Sequence, residues 1–222
     1  MSHQVRVEEI DLPMPSGISD AYLAHPADDG AWPGVLFIMD AIGLRPRIAD
    51  MVSRIASWGY AVLAPNTFYR AGRQPLVAPE LLTVERQAER MARFGELIPS
   101  LTPGLWAADG PAYLDHLTAL AVVAHDVPIR VVGYCMGGRL ALTLAAQRPE
   151  QVGVVAGPDG ERLGLSPHDV GQLPQVRALL DADDVGDLGE PEGGLRGQVD
   201  RGPGGDVVQD ARQVYRLRDR AE

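Results

Sequence analysis

The stretch that most constrains the fold of this chain is residues 129–147, IRVVGYCMGGRLALTLAAQ. An apolar run typical of a buried strand ends at a glycine-containing turn, and an apolar pattern with helical spacing begins directly after it. Cys135, the only cysteine of the 222 residues, lies at this junction. A strand that leads through a tight turn into a helix is a building unit of sheets covered by helices, so this stretch favours an α/β fold.

The rest of the N-terminal part repeats this alternation of strands and helices. The later strands are continuous apolar runs, such as GVLFIMD and YAVLAPN, which is typical of parallel strands buried on both faces. The sequence therefore predicts an α/β fold with a doubly wound, mostly parallel sheet. We predict strands within residues 5–40 and at 60–66, 129–135 and 152–157, and helices at 47–59, 79–98, 112–124 and 138–148.

The composition changes near residue 156. Residues 156–222 hold 12 of the 25 glycines and contain no Ile, Phe, Trp or Met, a composition that favours disorder over a packed core. We therefore predict an α/β core over residues 1–155, a sheet that is incomplete after residue 156, and an atypical, disordered or poorly packed tail over residues 156–222. Two explanations stay open: a shift of the reading frame shortly after QVGVVAG, or a genuine variant whose tail serves another purpose.

Charge and cysteine content restrict the partners and the compartment. The formal net charge of −10 argues against nucleic acid or an anionic membrane as a partner. No apolar run approaches the roughly 18 residues of a membrane span, and the N-terminus lacks the layout of a signal peptide. A single cysteine cannot form an intramolecular disulfide, so we expect a reducing, cytoplasmic location.

The segment Gly133-Tyr134-Cys135-Met136-Gly137 has the G-x-nucleophile-x-G pattern of a nucleophile elbow between a strand and a helix. Side chains in place of the two glycines would collide with the neighbouring strand and helix. The thiol would project above the sheet at the N-terminus of a helix, where the helix dipole favours a thiolate. The N–H of Met136 would be placed to bind an oxyanion. The alternative is that Cys135 is a small buried hydrophobic residue at a tight turn.

The motifs VVGYCMGGRLAL and FIMDAIGLRPRIADMVSRIASWGYAVLAPNTFYR, with the spacing between them, resemble the dienelactone hydrolase family over residues 5–155. This resemblance implies an α/β-hydrolase fold with a cysteine nucleophile in place of serine. It implies hydrolysis of a small-molecule ester or lactone through a Cys-His-Asp triad, with no metal or organic cofactor. The sequence leaves open whether the protein is a monomer or a small homo-oligomer.

The resemblance also assigns candidate roles to individual residues. Cys135 would be the nucleophile, and the N–H groups of Ala41 and Met136 would bind the oxyanion. Asp40 falls where the family has an acidic residue, usually Glu, that interacts with the resting thiol; the Asp side chain reaches one methylene less far, and the alternative is a turn residue at the strand end. Arg70 matches an arginine that binds a substrate carboxylate, for which a bidentate guanidinium is suited.

The acid and the histidine of such a triad follow the nucleophile in the chain. The family's typical C-terminal histidine, followed by a small residue and an aromatic one, does not occur in this sequence. His168 is the only histidine after Cys135 and is the candidate base, with Asp183 in LLDADDVGD as the candidate acid. We expect structural roles for the four histidines that precede Cys135, namely His3, His25, His116 and His125.

The sequence therefore predicts a hydrolase of the dienelactone hydrolase type whose activity is impaired if the base is absent. The alternative is a non-catalytic α/β protein that binds a small acidic ligand at the same site. A thiol-based redox protein is disfavoured, because no second cysteine is present to resolve an oxidised Cys135.

Overall fold

The computed structural model describes residues 2–156, and within them six strands form one sheet in the order β1-β2-β4-β3-β5-β6. Strands β1 and β2 form an antiparallel hairpin, and β2 pairs antiparallel with β4. The pairings of β3 with β4, of β3 with β5 and of β5 with β6 are parallel. The strands are β1 (Val5–Met14), β2 (Gly17–Pro26), β3 (Gly34–Ile38), β4 (Ala61–Pro65), β5 (Ile129–Gly133) and β6 (Val152–Ala156).

Four α-helices lie on the two faces of this sheet in the described part of the chain: α1 (Pro46–Ala56), α2 (Gln87–Leu97), α3 (Pro103–Thr118) and α4 (Met136–Gln147). Alternate residues of β3 enter different cores. Leu36 and Ile38 pack in the cluster that includes residues of α3 and α4, whereas Val35 and Phe37 pack in the cluster that includes residues of α1. Since both faces are covered, the strand is apolar throughout. This confirms the predicted α/β, doubly wound, mostly parallel arrangement.

Two helix predictions need correction. The helix predicted over residues 79–98 is divided into a 3₁₀ turn, Pro79–Leu82, and the helix α2. The helix predicted over residues 112–124 begins much earlier, at Pro103, and ends at Thr118.

The early start of α3 has a local cause. The Thr102 hydroxyl accepts a hydrogen bond from the N–H of Leu105 (3.3 Å), and Pro103 occupies the first helical turn, where its missing N–H has no cost. The glycine and proline residues of PGLWAADGPAYL concealed this helix. Gly110 lies in a tightly packed place, since a Cβ there would lie 3.1 Å from the Trp106 ring and 3.3 Å from Leu144 of α4.

Residues 157–222, which make up almost all of the predicted tail, are not among the residues that the structure describes. The predictions of an incomplete sheet and of an atypical tail over residues 156–222 fall, apart from Ala156, outside them and stay predictions. Within residues 2–156, no helix combines the length and the apolar character needed to cross a membrane.

Candidate active site

Three candidate residues lie at one edge of the sheet because of its topology. Strands β4, β3 and β5 are parallel neighbours, so their carboxyl ends meet at the same edge. Asp40 follows β3, Arg70 follows β4 and Cys135 follows β5. The carboxyl edge of a parallel sheet is the usual place of a ligand site in α/β proteins.

Cys135 has a strained backbone. Its φ of 55° and ψ of −122° make it the only non-glycine residue with a positive φ in residues 2–156. Such a conformation costs about 1–3 kcal/mol and is typical of functional sites. Cys135 precedes the first residue of α4, so the turn between β5 and α4 is as sharp as the elbow pattern predicts.

The two flanking glycines are required by space. A Cβ on Gly133 would lie 2.0 Å from the carbonyl oxygen of Gly137, and a Cβ on Gly137 would lie 2.5 Å from the carbonyl oxygen of Ile38. Both distances are far below van der Waals contact, and the atoms met are backbone atoms that cannot move aside. The steric prediction made from the G-x-C-x-G pattern is therefore confirmed.

The thiol of Cys135 is exposed. The alternative of a small buried hydrophobic residue at this position is therefore wrong. The residue before it anchors the turn: the N–H of Tyr134 donates to the carbonyl of Ile38 (3.2 Å), and its ring stacks on Phe37 with 5.3 Å between the centroids. Burial raises the pKa of the Tyr134 hydroxyl above its ordinary value. Cys135 is thus exposed, and the residue before it is packed against β3.

The two backbone N–H groups assigned to an oxyanion belong to the turns that follow β3 and β5. Within residues 2–156, neither the N–H of Ala41 nor that of Met136 donates a hydrogen bond to a protein group. Strand register aligns Ile38 with Gly133, and Gly137 touches the end of β3, so the two turns that carry these N–H groups are neighbours. An oxyanion is bound by N–H groups that have no protein acceptor, so these two N–H groups remain candidates for that role among the described residues.

Asp40 has a different partner from the one that the resemblance implies. Its two carboxylate oxygens each accept a hydrogen bond of 2.8 Å from the guanidinium of Arg45, and one of them also accepts from the N–H of Ile42 (3.0 Å). No hydrogen bond joins Asp40 to Cys135 in the part of the chain that the structure describes. These contacts agree with the alternative role, a turn residue at the end of a strand.

Arg70 is engaged in an ion pair. Its two terminal nitrogens lie 2.5 and 3.0 Å from the two carboxylate oxygens of Asp109, and one of them also donates to the hydroxyl of Ser16 (3.1 Å). Its guanidinium carbon lies 4.5 Å from the centroid of the Tyr69 ring, whose hydroxyl donates to Asp109 (3.1 Å). The hydrogen bond to Asp109 raises the pKa of Arg70. The guanidinium fork that the sequence assigned to a substrate is thus occupied by protein.

Sequence reasoning missed Asp109, although a signal was present. Asp109 is fully buried, and it lies in the stretch WAADGPAYL between the buried residues Trp106 and Tyr113. A carboxylate at such a position needs a charged partner. The sequence could therefore have indicated a buried ion pair, but not that Arg70 is its other member.

The histidines of the described part contact groups other than Cys135. One ring nitrogen of His3 is 2.9 Å from the Asp28 carboxylate, and His25 and His116 each have a ring nitrogen within hydrogen-bond distance of a backbone carbonyl. His125 precedes β5 and so lies at the opposite edge of the sheet. Within residues 2–156 none of them is hydrogen-bonded to Cys135. The candidate base His168 and the candidate acid Asp183 lie outside the described residues.

Two further features bear on the site. Within residues 2–156, no group of three or more His, Cys, Asp or Glu side chains is placed to hold a metal ion. A cavity of about 150 Å³ is lined mainly by residues of β2, by residues 44–46 at the start of α1 and by the segment after β4, but it includes neither Cys135 nor Arg70. The candidate active site is therefore the exposed carboxyl edge of the sheet around Cys135.

Comparison with known proteins identifies the family of this chain. The model of the dienelactone hydrolase family matches residues 19–170. A "Putative carboxymethylenebutenolidase" of Methylorubrum extorquens is 27% identical over 144 residues, which cover 64% of this chain and 45% of that protein. A protein of the same name from Escherichia coli O157:H7 is 28% identical over 207 residues, which cover 88% of this chain and 65% of that protein. The chain thus spans about half the length of the first of these relatives and about two thirds of the second.

Solved structures with a similar fold include members of the same family. A "Putative Dienelactone Hydrolase" from Klebsiella pneumoniae superposes with a TM-score of 0.57 at 25% identity, over 76% of this chain and 68% of that one. A "Dienelactone Hydrolase-like" phosphotriesterase from metagenomic libraries gives a TM-score of 0.54 at 22% identity, over 77% and 65%. The second similarity establishes the fold alone. Since the family model covers more than half of the chain and the sheet, the elbow and the solved structures agree with it, the chain belongs to the dienelactone hydrolase family.

Proposed function

We propose that the protein hydrolyses a small ester or lactone with Cys135 as the nucleophile. The observation that carries this proposal is the exposed thiol on a strained residue between two glycines that no larger residue could replace. A buried structural cysteine needs neither the strain nor the exposure. The named relatives support the substrate class, since carboxymethylenebutenolidase names an activity on a lactone-type compound.

The proposed reaction has two steps. The Cys135 thiolate attacks the carbonyl carbon and forms a C–S bond, and the carbonyl oxygen becomes an oxyanion held by the N–H groups of Ala41 and Met136. Collapse of this intermediate breaks the C–O bond of the ester; the departing oxygen takes up a proton from the protonated base and an acyl-enzyme remains. Water then gives a proton to the base as it attacks the thioester, the C–S bond breaks, and the carboxylic acid leaves with the thiolate restored.

The base is the part of the proposal that rests on sequence alone. We propose His168 as the base and Asp183 as the acid that orients it; His168 falls inside the segment that the family model matches. If these residues do not act in this way, the thiol would still attack an activated ester but would not be regenerated. Loss of a triad member costs such enzymes several orders of magnitude in rate, so acylation would be slow and stoichiometric.

The substrate class follows from charge and from Arg70. The net charge of −10 favours a small-molecule substrate over nucleic acid or an anionic membrane surface. We also propose a cytoplasmic location, because the chain has a single cysteine. We keep Arg70 as a candidate for contact with a substrate carboxylate. Because both of its terminal nitrogens bind Asp109, a substrate would meet the remaining donors of an already paired guanidinium, and we expect only a modest preference for anionic esters.

The test is hydrolysis of p-nitrophenyl acetate followed by absorbance, which separates an initial burst from steady turnover. We expect Cys135→Ala to abolish the burst, and His168→Ala to slow the burst to a single acylation per chain and to abolish most of the turnover that follows it. Circular dichroism verifies that each variant is folded. If Cys135→Ala hydrolyses the ester as fast as the wild type, the proposal is wrong.

A second candidate function, binding of a small acidic ligand without catalysis, is favoured by one observation: among residues 2–156, no histidine is hydrogen-bonded to Cys135. The same assay distinguishes the two functions. A binding protein shows neither a burst nor turnover that depends on Cys135, yet a small carboxylate would raise its melting temperature through preferential binding to the folded state.

A further inference from the structure

The turn that carries Ala41 is held by its own first residue. The N–H of Gly43 donates to the Asp40 carbonyl (3.1 Å), which closes a four-residue turn, and the N–H of Ile42 donates to the Asp40 carboxylate (3.0 Å). An aspartate that binds the N–H two residues further on stabilises such turns. Gly43 has a φ of 91°, which favours glycine.

Arg45 closes the turn from outside. One of its terminal nitrogens donates both to the Asp40 carboxylate and to the carbonyl of Gly43, at 2.8 Å each, and the other donates to the second Asp40 oxygen at 2.8 Å. Only 17% of the Arg45 side chain and 21% of the Asp40 side chain are exposed, so water screens this pair less than a surface pair. The side chain of Gln74 packs against Gly43 from another side. A Cβ on Gly43 would lie 2.6 Å from the Gln74 side-chain oxygen.

These bonds fix the direction of one N–H. In a trans peptide the carbonyl oxygen and the amide hydrogen point in opposite directions. The peptide between Asp40 and Ala41 has its oxygen held by Gly43, so the N–H of Ala41 points away from the turn. This N–H has no acceptor among residues 2–156, and its turn adjoins the elbow where β3 meets the start of α4.

We propose that Asp40 and Arg45 form a clamp that positions the Ala41 N–H as an oxyanion donor for Cys135. This inference rests on the proposed hydrolysis at Cys135. Asp40 is thus a positioning residue that acts through the turn, and not an acid that acts on the thiol. Arg45 shares this role, which the sequence did not indicate.

The experiment compares two reactions of the same thiol. In acylation by p-nitrophenyl acetate a carbonyl oxygen becomes an oxyanion, so the reaction needs the Ala41 N–H. In alkylation by iodoacetamide the thiolate attacks a methylene carbon, a C–S bond forms and iodide leaves, so no oxyanion arises. A variant that only misplaces the oxyanion donor therefore slows acylation and leaves alkylation unchanged.

The variants are Asp40→Asn, Arg45→Met and Arg45→Lys, and the matched control is Arg54→Met. Arg54 lies on α1 over the Trp58 ring and takes no part in the clamp. Since loss of one oxyanion donor costs about 10²–10³ in rate, we expect acylation to fall by about tenfold or more in Arg45→Met. Arg45→Lys keeps the charge but not the fork, so it should remain folded and still acylate more slowly than the wild type. The control should acylate at the wild-type rate.

Three results would overturn the clamp. Equal losses in acylation and alkylation would assign Asp40 to the thiol itself. Unchanged acylation in all three variants, with a wild-type burst that depends on Cys135, would show that the turn needs no clamp while the proposed function stands. Absence of a Cys135-dependent burst in the wild type would reject the proposed function, and the clamp with it.

Discussion

The buried ion pair of Arg70 and Asp109 shows how single residues in this protein depend on partners far along the chain. The two residues are 39 positions apart, and Asp109 is fully buried whereas 19% of the Arg70 side chain is exposed. Removing one member of a buried pair leaves an uncompensated charge in the interior, which costs about 3–5 kcal/mol. The pair joins the segment after β4 to the middle of α3.

Arg70→Met should therefore lower the free energy of unfolding by about 3 kcal/mol or more, because the Asp109 carboxylate is left without a cation. The double variant Arg70→Met, Asp109→Leu should recover more than half of this loss, since it removes both charges. Urea unfolding followed by circular dichroism measures both values. Equal midpoints for Arg70→Met and the wild type would show that the pair contributes little.

Sequence reasoning at this scale succeeded where the constraint is local. Cys135 requires glycines on both sides because the collisions involve residues within a few positions of it or the adjacent strand, and a G-x-C-x-G pattern carries that information. The partners of Asp40 and Arg70 depend on where other side chains come to lie. Arg45 follows a turn and Asp109 lies on a distant helix, so the sequence indicated Asp40 and Arg70 but neither of their partners.

At the scale of elements, the close contact between the start of α4 and the end of β3 brings the turns after β3 and β5 together. A Cβ at Gly137 would lie 2.5 Å from the carbonyl oxygen of Ile38 and 2.6 Å from that of Met39. A Cβ at Gly138, the next residue, would meet only the carbonyl oxygen of Gly133, at 3.5 Å, which is ordinary contact. Two adjacent glycines on one helix thus differ sharply in what they permit.

Gly137→Ala should push α4 away from β3 and misplace the Met136 N–H, which lowers the acylation rate by about tenfold or more and lowers the melting temperature. Gly138→Ala is the matched control and should keep the activity, with unchanged or higher stability, because alanine favours a helix by about 1 kcal/mol relative to glycine. Burst kinetics and thermal unfolding of the two variants make the comparison. Similar behaviour of both would contradict the packing described here.

The elements that the sequence predicted well are those with an uninterrupted hydrophobic pattern. Strands β3 and β4 are apolar at every position because both faces are covered, and α1 has a regular apolar stripe. The start of α3 was missed because its glycines and prolines resemble a loop, although Pro103 and the Thr102 cap are typical of a helix start. Gly110 of α3 lies against Leu144 of α4, a contact that a local pattern does not show.

At the scale of the whole molecule, buried and partly buried tyrosines make stability depend on alkaline pH. Burial is the main cause that raises the pKa of Tyr22, Tyr69, Tyr113 and Tyr134 above the ordinary value. In the unfolded chain these hydroxyls ionise near pH 10. A group whose pKa is raised in the folded state stabilises that state fully below its unfolded pKa, and this contribution is lost as the pH rises toward the folded pKa.

The free energy of unfolding should therefore fall as the pH is raised above about 10. Tyr113→Phe should flatten this decline, because its hydroxyl is the most deeply buried of the four and phenylalanine has no proton to lose. Denaturant unfolding at a series of alkaline pH values gives the slope for both proteins. An identical slope in the variant would contradict the role of Tyr113.

The change in amino-acid composition near residue 156 also concerns the whole chain. The family match runs to residue 170, beyond the change in composition. If a shift of the reading frame explains that change, another frame of the coding DNA after codon 156 should encode apolar strands, an acidic loop, and a histidine followed by a small and an aromatic residue. Resequencing the gene and translating all frames tests this. A gene in which no other frame has these features would favour a genuine variant.

We propose that Cys135 is the acyl-accepting nucleophile. The most direct test of this proposal is mass spectrometry of the intact protein and its peptides after brief incubation with p-nitrophenyl acetate and rapid acid quenching. We predict one added acetyl group per chain, located on the peptide that contains Cys135 and absent in Cys135→Ala. An unmodified Cys135 in protein that still releases p-nitrophenol in a burst, or an acetyl group on another residue, would contradict the account.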